Sequence, residues 1–283
     1  MAEIVSDSVL RPEILALLAD TLDTDATGDI TPPLWHWTAF HPKARSSELG
    51  RDGHPRVGII PNPPFPRRMF AGGKVAYNKA LPVNVPILRS TTTTEPEIKT
   101  GRSGTLAFMT MTHKYTVDGE VLAVEDMNVV YREDPPETTD NPPVPAPSIT
   151  AHNGATTTDD SDTSWSQTRT FTPAHLFRYS ALTFNTHRIH YDAPYVTQVE
   201  GHPNIVVHGP LLITSLAELV RVRFGNDAIH TVSYRMLSPA YADQAVTFTA
   251  AKETGSREIA LTGTRGDTNL VTASVTLRDT IAV

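Results

Sequence analysis

The chain has 283 residues, 39% of them hydrophobic, enough for one large domain or two ordinary ones with a sizeable core. Its net charge of −7 offers no electrostatic footprint for nucleic acid or an anionic membrane surface. It has no cysteine, which excludes a nucleophilic thiolate, a disulfide framework and thiolate metal sites.

No apolar run approaches the roughly 18 residues of a membrane-spanning helix. The first twenty residues carry acids instead of a basic start followed by an apolar core, so they do not read as a signal peptide and a cytoplasmic protein is expected. From about Ser8 to Asp23, residues Val9, Leu10, Ile14, Leu15, Leu17, Leu18 and Leu22 recur at helical spacing and predict a first helix. Residues 31–73 are rich in Pro, Gly and aromatics (TPPLWHWTAFHP, then GRDGHPRVGIIPNPPFPRRMFAGG) and predict a wrapping segment without a long regular element. Strand-like runs follow: KVAYNKALPVNVPILRSTTTTEPEI, TLAFMTMTHKYTV and VLAVEDMNVVYRED. The last two predict a hairpin around Asp118-Gly119, where a tight turn wants residues tolerant of positive φ.

Residues 135–164 (PPETTDNPPVPAPSITAHNGATTTDDSDTS) have few large apolar side chains and predict a linker between domains at 1–134 and 165–283. The second half opens on a loop-like polar stretch. It continues as a helix from Pro210 to about Phe224 and four strands, HTVSYRMLSPAY, AVTFTAAKETG, REIALTGTRG and TNLVTASVTLRD. The two halves thus form a weak internal repeat of pattern. Leu211, Leu212, Ile213, Leu216, Ala217, Leu219, Val220 and Val222 make the 210–224 helix apolar on nearly every side, as for a helix enclosed by protein. Pro210 suits its first turn and Gly225 its stop, with Arg221 and Arg223 near the end that favours cations. A sheet curled around one apolar helix, an α+β arrangement, satisfies these features.

Just before that helix, FRYSALTFNTHRIHYD (177–192) crowds Asn185, His187, Arg188 and His190 together. Polar groups so close are costly to bury unless they are paired or used. RYSALTFNTHRIHYD and EGHPNIVVHGPL, with HPRVGIIP, RRMFAGG and GRSGTLAFMT in the first half, resemble the MaoC-like hotdog hydratases. The branch in question holds the type 2 hydroxyacyl-thioester dehydratases and the mesaconyl-C4-CoA and itaconyl-CoA hydratases. The resemblance implies a double hotdog whose first repeat is degenerate and whose active site lies in the second half. It implies reversible hydration of an enoyl-CoA thioester, with a short branched dicarboxylic acyl group such as mesaconyl-C4-CoA or itaconyl-CoA. The thioester is then the substrate, no cofactor is needed, no nucleic acid or membrane partner is implied, and pairing of two chains into a homodimer stays open.

The general hydratase pattern, S-G-D-x-N-P-x-H, puts Asn185 where it has Asp and His190 where it has His; its Asn and Pro become His187 and Arg188. An amide cannot take a proton from water at neutral pH, so the two-base scheme does not transfer. His190 becomes the expected base, since neutral imidazole can take and return a proton. Asn185 is expected to orient the water. The N–H of Gly209, where the helix begins, is expected to stabilise the developing oxyanion. Tyr179, His187 and His208 are expected around the substrate, although a buried Tyr on a strand and a capping or packing His explain Tyr179 and His208 as well. Arg67, Arg68 and Arg188 are candidates to fork an acyl carboxylate, against surface solvation or pairing with acids. Lys74, Lys79, Arg221 and Arg223 are candidates for CoA phosphates. Asp192 reads as a cap or an orienting group, and His36 and His41 show no metal-ligand spacing. Three alternatives stay open: a (3R)-hydroxyacyl-thioester dehydratase of fatty acid metabolism, a hotdog thioesterase, and a noncatalytic acyl-thioester binding module.

Overall fold

Period-two alternation dominates the chain, and it builds one continuous antiparallel sheet. The computed structural model describes residues 3–25, 28–56, 65–101, 104–133, 156–160 and 163–279. Among them run strands β1 (Ile4–Val9), β2 (Arg67–Tyr77), β3 (Pro86–Thr93), β4 (Glu97–Gly101), β5 (Gly104–Val117) and β6 (Glu120–Arg132). The second half supplies β7 (Thr156–Asp160), β8 (Ser164–Thr170), β9 (Ile229–Met236), β10 (Ala245–Lys252), β11 (Glu258–Arg265) and β12 (Thr268–Leu277). Their order across the sheet is β1-β3-β5-β6-β2-β9-β12-β11-β10-β8-β7, with β4 on β5. The first five strands of that order come from the first half of the chain, and the seam between halves is β2 against β9, from Gly72↔Arg235 to Ala76↔Thr231. Glycine is needed at this seam, since a Cβ on Gly72 would lie 2.6 Å from the Tyr234 carbonyl oxygen.

Four α-helices occur among the described residues: α1 (Pro12–Leu22), α2 (Pro173–Thr183), α3 (Ala193–Gln198) and α4 (Gly209–Phe224). Short 3₁₀ turns occur at η1 (Trp35–Thr38), η2 (Ser46–Glu48) and η3 (Arg188–His190). α4 is the enclosed helix expected from its sequence. Strands β8 to β12 wrap it, and Leu211 through Arg221 are all buried. Val222 is the exception, at 70% exposure on the last turn. Polar residues inside are satisfied: Thr214 and Ser215 bond back to the Pro210 and Leu211 carbonyls, and Glu218 accepts from Arg221 and from the Trp35 indole. Arg221 is therefore a core ion-pair partner and not a cation at a pocket mouth. Among the described residues, no helix is long and apolar enough to cross a membrane.

The structure corrects four expected boundaries. The first helix starts at Pro12, not Ser8, because Pro at the first turn suits a helix start while the preceding IVSDSV pairs with β3 as β1. Arg67–Gly73, expected within an irregular segment, already belongs to β2. Of the expected linker, residues 135–155 and 161–162 lie outside the described residues, but Thr156–Asp160 forms β7 on β8, which itself begins at Ser164. The loop-like stretch after Phe171 is helix α2; Thr172 and His175 cap its start reciprocally and Pro173 opens its first turn. Tyr179 accordingly sits on a helix, not a strand. The Asp118-Gly119 hairpin is present as expected, with φ of 48° and 83°.

Candidate active site

The motif is shaped by the end of α2. Phe184 takes a left-handed conformation (φ 51°) and closes the helix, and Asn185 N–H then bonds the Ser180 carbonyl. This sharp exit lets the Asn185 side-chain oxygen accept the His187 N–H at 3.0 Å. Asn185 thus holds the turn that presents the next three residues. Arg188 binds Asp192 through Nε and Nη2 (2.9 and 2.8 Å), and its guanidinium stacks 4.0 Å over the Tyr195 ring. Asp192 also caps α3 by accepting the Tyr195 N–H. Both residues are thereby committed to holding the loop. An open cleft of about 390 Å³ lies outside this pair, lined by Arg51, Arg188, Asp192, Pro194, Tyr195, Gln198 and Val199.

His190 is tied directly to the start of α4. Val206 N–H donates to the Ile189 carbonyl, and His190 Nδ1 lies 2.7 Å from the Val206 carbonyl. A carbonyl only accepts, so Nδ1 carries the proton and Nε2 keeps its lone pair. The ring stacks on His208, the residue capping α4, at 3.6 Å between centroids. His208 in turn meets Tyr179 edge-on and bonds Ser180 Oγ through Nε2 at 2.8 Å. Its Nδ1 is buried without a partner among the described residues. Gly209 follows as the first residue of α4, where an N–H has no intrahelical acceptor, and Pro210 contributes none. A Cβ at Gly209 would lie 2.7 Å from Cδ1 of Phe70, whose ring is stacked on Tyr234 and edge-on to Trp37.

The imidazoles here are held neutral. Burial lowers the His190 pKa to about 4, against partial compensation from the Val206 carbonyl. Burial likewise drives His187 and His208 far down, and the neighbouring imidazoles add to it. Neutral and protonated at Nδ1, His190 keeps its Nε2 lone pair as an acceptor.

Residues from the first half complete this cluster, and the sequence reading passed over them. Asp52 and His54 lie on the loop after η2. Asp52 Oδ2 accepts from His54 Nδ1 at 2.9 Å, and the His54 ring lies 4.0 Å from that of His187. His187 meets His190 edge-on at 5.4 Å, so four imidazoles run in contact from His54 to His208. The loop is locked to the motif: Arg188 N–H donates to the Asp52 carbonyl at 2.8 Å and Thr186 Oγ1 to the Gly53 carbonyl at 2.6 Å. Gly53 is buried with φ 88°, and a Cβ there would collide with the Thr186 carbonyl. The signal in the sequence was the Asp-Gly-His triplet in an otherwise irregular segment. Ligand atoms of Asp52, His54 and His187 lie within 4.8 Å of one another, close enough to share a metal ion. The positive charge of Arg68, which lowers the pKa of both histidines, disfavours a cation there.

The three candidate arginines separate cleanly. Arg67 is buried in an ion pair with Glu200, which also accepts from the Tyr195 hydroxyl. Arg188 is held by Asp192. Arg68, half-buried on β2, makes no hydrogen bond or ion pair among the described residues. Of the expected phosphate ligands, Lys79 pairs with Glu120 and Arg223 lies over the Trp165 ring, while Lys74 is exposed on β2.

The model of the family described as hydroxyacyl-thioester dehydratase type 2 matches residues 34–242. Mesaconyl-C(4)-CoA hydratase of Chloroflexus aurantiacus is 43% identical over 195 residues, 67% of this chain and 64% of the relative, so the match spans less than two thirds of that protein. The mitochondrial hydroxyacyl-thioester dehydratase type 2 of Schizosaccharomyces pombe is 45% identical over 75 residues, 26% of this chain and 25% of that one. Among solved structures, a MaoC-like dehydratase from Phytophthora capsici superposes with a TM-score of 0.72 at 14% identity, covering 100% of this chain and 97% of the other. A double-hotdog protein of Mycobacterium tuberculosis superposes at 0.56 and 12% identity over 98% and 96% of the two chains. At these identities the structures speak for the fold, and the α+β double hotdog is theirs too. With its family model matched from Leu34 to Ala242, the chain belongs to the type 2 hydroxyacyl-thioester dehydratase family.

Proposed function

We propose that the chain catalyses reversible hydration of an enoyl-CoA thioester carrying a short branched dicarboxylic acyl group, such as mesaconyl-C4-CoA or itaconyl-CoA, to citramalyl-CoA. The carrying observation is the union of a neutral His190, its Nδ1 fixed on Val206, with the free N–H of Gly209 at the start of α4. His190 Nε2 takes a proton from water as the oxygen bonds Cβ. The π electrons move toward the thioester oxygen, where the Gly209 amide and the helix dipole stabilise the enolate. The imidazolium then returns its proton to Cα, and the enzyme is restored. Asn185 acts through the turn it closes, fixing His187 and His190, and His208 supports His190 by stacking.

Substrate class rests on Arg68 and on the relative. A distal carboxylate wants an uncommitted guanidinium, and Arg68 is uncommitted among the described residues. The 43% identical relative carries the name of a dicarboxylic enoyl-CoA hydratase. A second reading, dehydration of a longer (3R)-hydroxyacyl thioester, is favoured by the name of the matching family. A panel of C4-dicarboxylic and straight-chain enoyl-CoAs, followed by ultraviolet loss of the conjugated thioester, decides between them. Preference for the dicarboxylic members is expected; preference for long straight chains supports the second reading. Release of free CoA without loss of the double bond marks a thioesterase, and no turnover on the whole panel marks a binding module.

A further inference from the structure

We infer that the Asp52–His54 pair, delivered by the first half of the chain, is the second water-holding group of the site and replaces the carboxylate that position 185 lacks. The inference rests on the hydratase reading above. Two observations make the need. The Asn185 side-chain oxygen is turned onto the His187 backbone N–H, so it serves the fold of the loop. His190 Nδ1 is bound to a backbone carbonyl, so no carboxylate of the second half stands behind the base.

Two further observations fill it. Asp52 is bonded to His54 Nδ1 at 2.9 Å, which fixes the proton there and leaves Nε2 as a hydrogen-bond acceptor. The pair is also positioned with unusual care for a loop. Gly53, which separates the two residues, is buried against Thr186 at a positive φ. Both flanking backbone carbonyls are bonded by residues of the motif, Thr186 and Arg188.

In the step as assigned, one O–H bond of water breaks toward His190 Nε2 while the oxygen bonds Cβ. The other O–H, which survives as the product hydroxyl, is held by His54 Nε2. Asp52 positions His54, and His187, in ring contact with both imidazoles, walls the water between them. The first repeat thus contributes chemistry as well as sheet.

The test uses the full chain and the enoyl-CoA that the wild type turns over best. Asp52→Asn keeps the size of the side chain and the Asp52 carbonyl that Arg188 binds, and His54→Gln keeps a polar side chain of similar reach. Each is expected to lower kcat on the order of 10²-fold with KM changed less than about threefold, within the usual range for one positioned acid–base group. The decisive variant is Asn185→Asp in each background. It restores a carboxylate at 185 and is expected to recover at least about tenfold of the lost kcat, a rescue that a merely structural role of Asp52 would not permit. Thermal melting of each variant monitors folding. Wild-type kcat in folded His54→Gln, or failure of Asn185→Asp to rescue either folded variant, overturns the inference and leaves the hydratase reading intact. Loss of wild-type activity on chelation, recovered with zinc, also overturns it, since the three side chains would then be ligands. Absence of wild-type turnover on every enoyl-CoA overturns both.

Discussion

Each half of the molecule buries imidazole among polar partners, yet the two clusters are finished differently. In the first half, Glu125 is fully buried and accepts from the His36 ring (3.3 Å), the Trp37 indole (2.8 Å) and the Tyr115 hydroxyl (2.6 Å). His113 nearby meets Thr91 at 2.7 Å. Burial alone would raise the Glu125 pKa, but His36, His113 and Tyr115 outweigh it and lower it to about 2. Every member is answered by another. In the second half, His190 has one nitrogen answered and one left over, the Gly209 amide has no intrahelical acceptor, and His208 Nδ1 is unpartnered among the described residues. A closed network stabilises a unique core; one with vacant donors and acceptors at a helix start is a place where a reacting carbonyl and a water can be answered instead.

Breaking each network in turn sharpens this contrast. The largest effect is expected from His190→Ala, which removes the base: kcat should fall on the order of 10²- to 10⁴-fold, with the melting temperature little changed. In the wild type, the acid limb of kcat/KM should lie near pH 4 and not near 6.5, since the base is lost only as pH falls through the lowered His190 pKa. A pH–rate profile measured against the same substrate checks both. Glu125→Ala should do the reverse, costing about 3–5 kcal/mol in urea unfolding by stranding its donors, while kcat of the folded protein holds. Linkage gives this an acid signature. The Glu125 pKa is depressed in the fold, so its contribution is complete above about pH 4.5 and is lost as pH falls toward 2. Stability should thus fall more between pH 4.5 and 2 in the wild type than in Glu125→Ala.

Smaller effects separate the cations. Arg68→Ala should raise KM for dicarboxylic enoyl-CoAs about 10- to 100-fold through loss of a charged hydrogen bond, and leave straight-chain substrates unaffected. Equal losses on both classes would sink its assignment to the distal carboxylate. Lys79→Ala removes an exposed pair with Glu120. It should cost under about 1 kcal/mol and leave the KM for the CoA substrate unmoved.

Much of the fold was readable because its signals are local. α4 was legible from an apolar surface on nearly all sides, Pro210 at its start and Gly225 at its end. The β5–β6 hairpin was legible from Asp118-Gly119. α2 was missed because polar His175, Arg178, Ser180 and Thr183 interrupt its apolar residues, although the Thr-Pro start that caps it was in view. The motif around His190 was legible as a crowded polar segment and through its likeness to a family. Which arginine stays uncommitted was not, because Arg67 and Arg68 differ only in what the fold sets beside them: Glu200 is 133 residues away along the chain.

The amino-acid order alone determined the alternating strands, the enclosed helix and the histidine-rich segment before it, since periodicity, caps and turn chemistry act over a few residues. Tertiary structure alone decided that the Asp52–His54 loop reaches that segment, that His190 gives its Nδ1 proton to Val206, and that Phe70 forbids any side chain at Gly209. Contacts of that kind join residues distant along the chain, and only the closing of the sheet around α4 brings them within bonding distance.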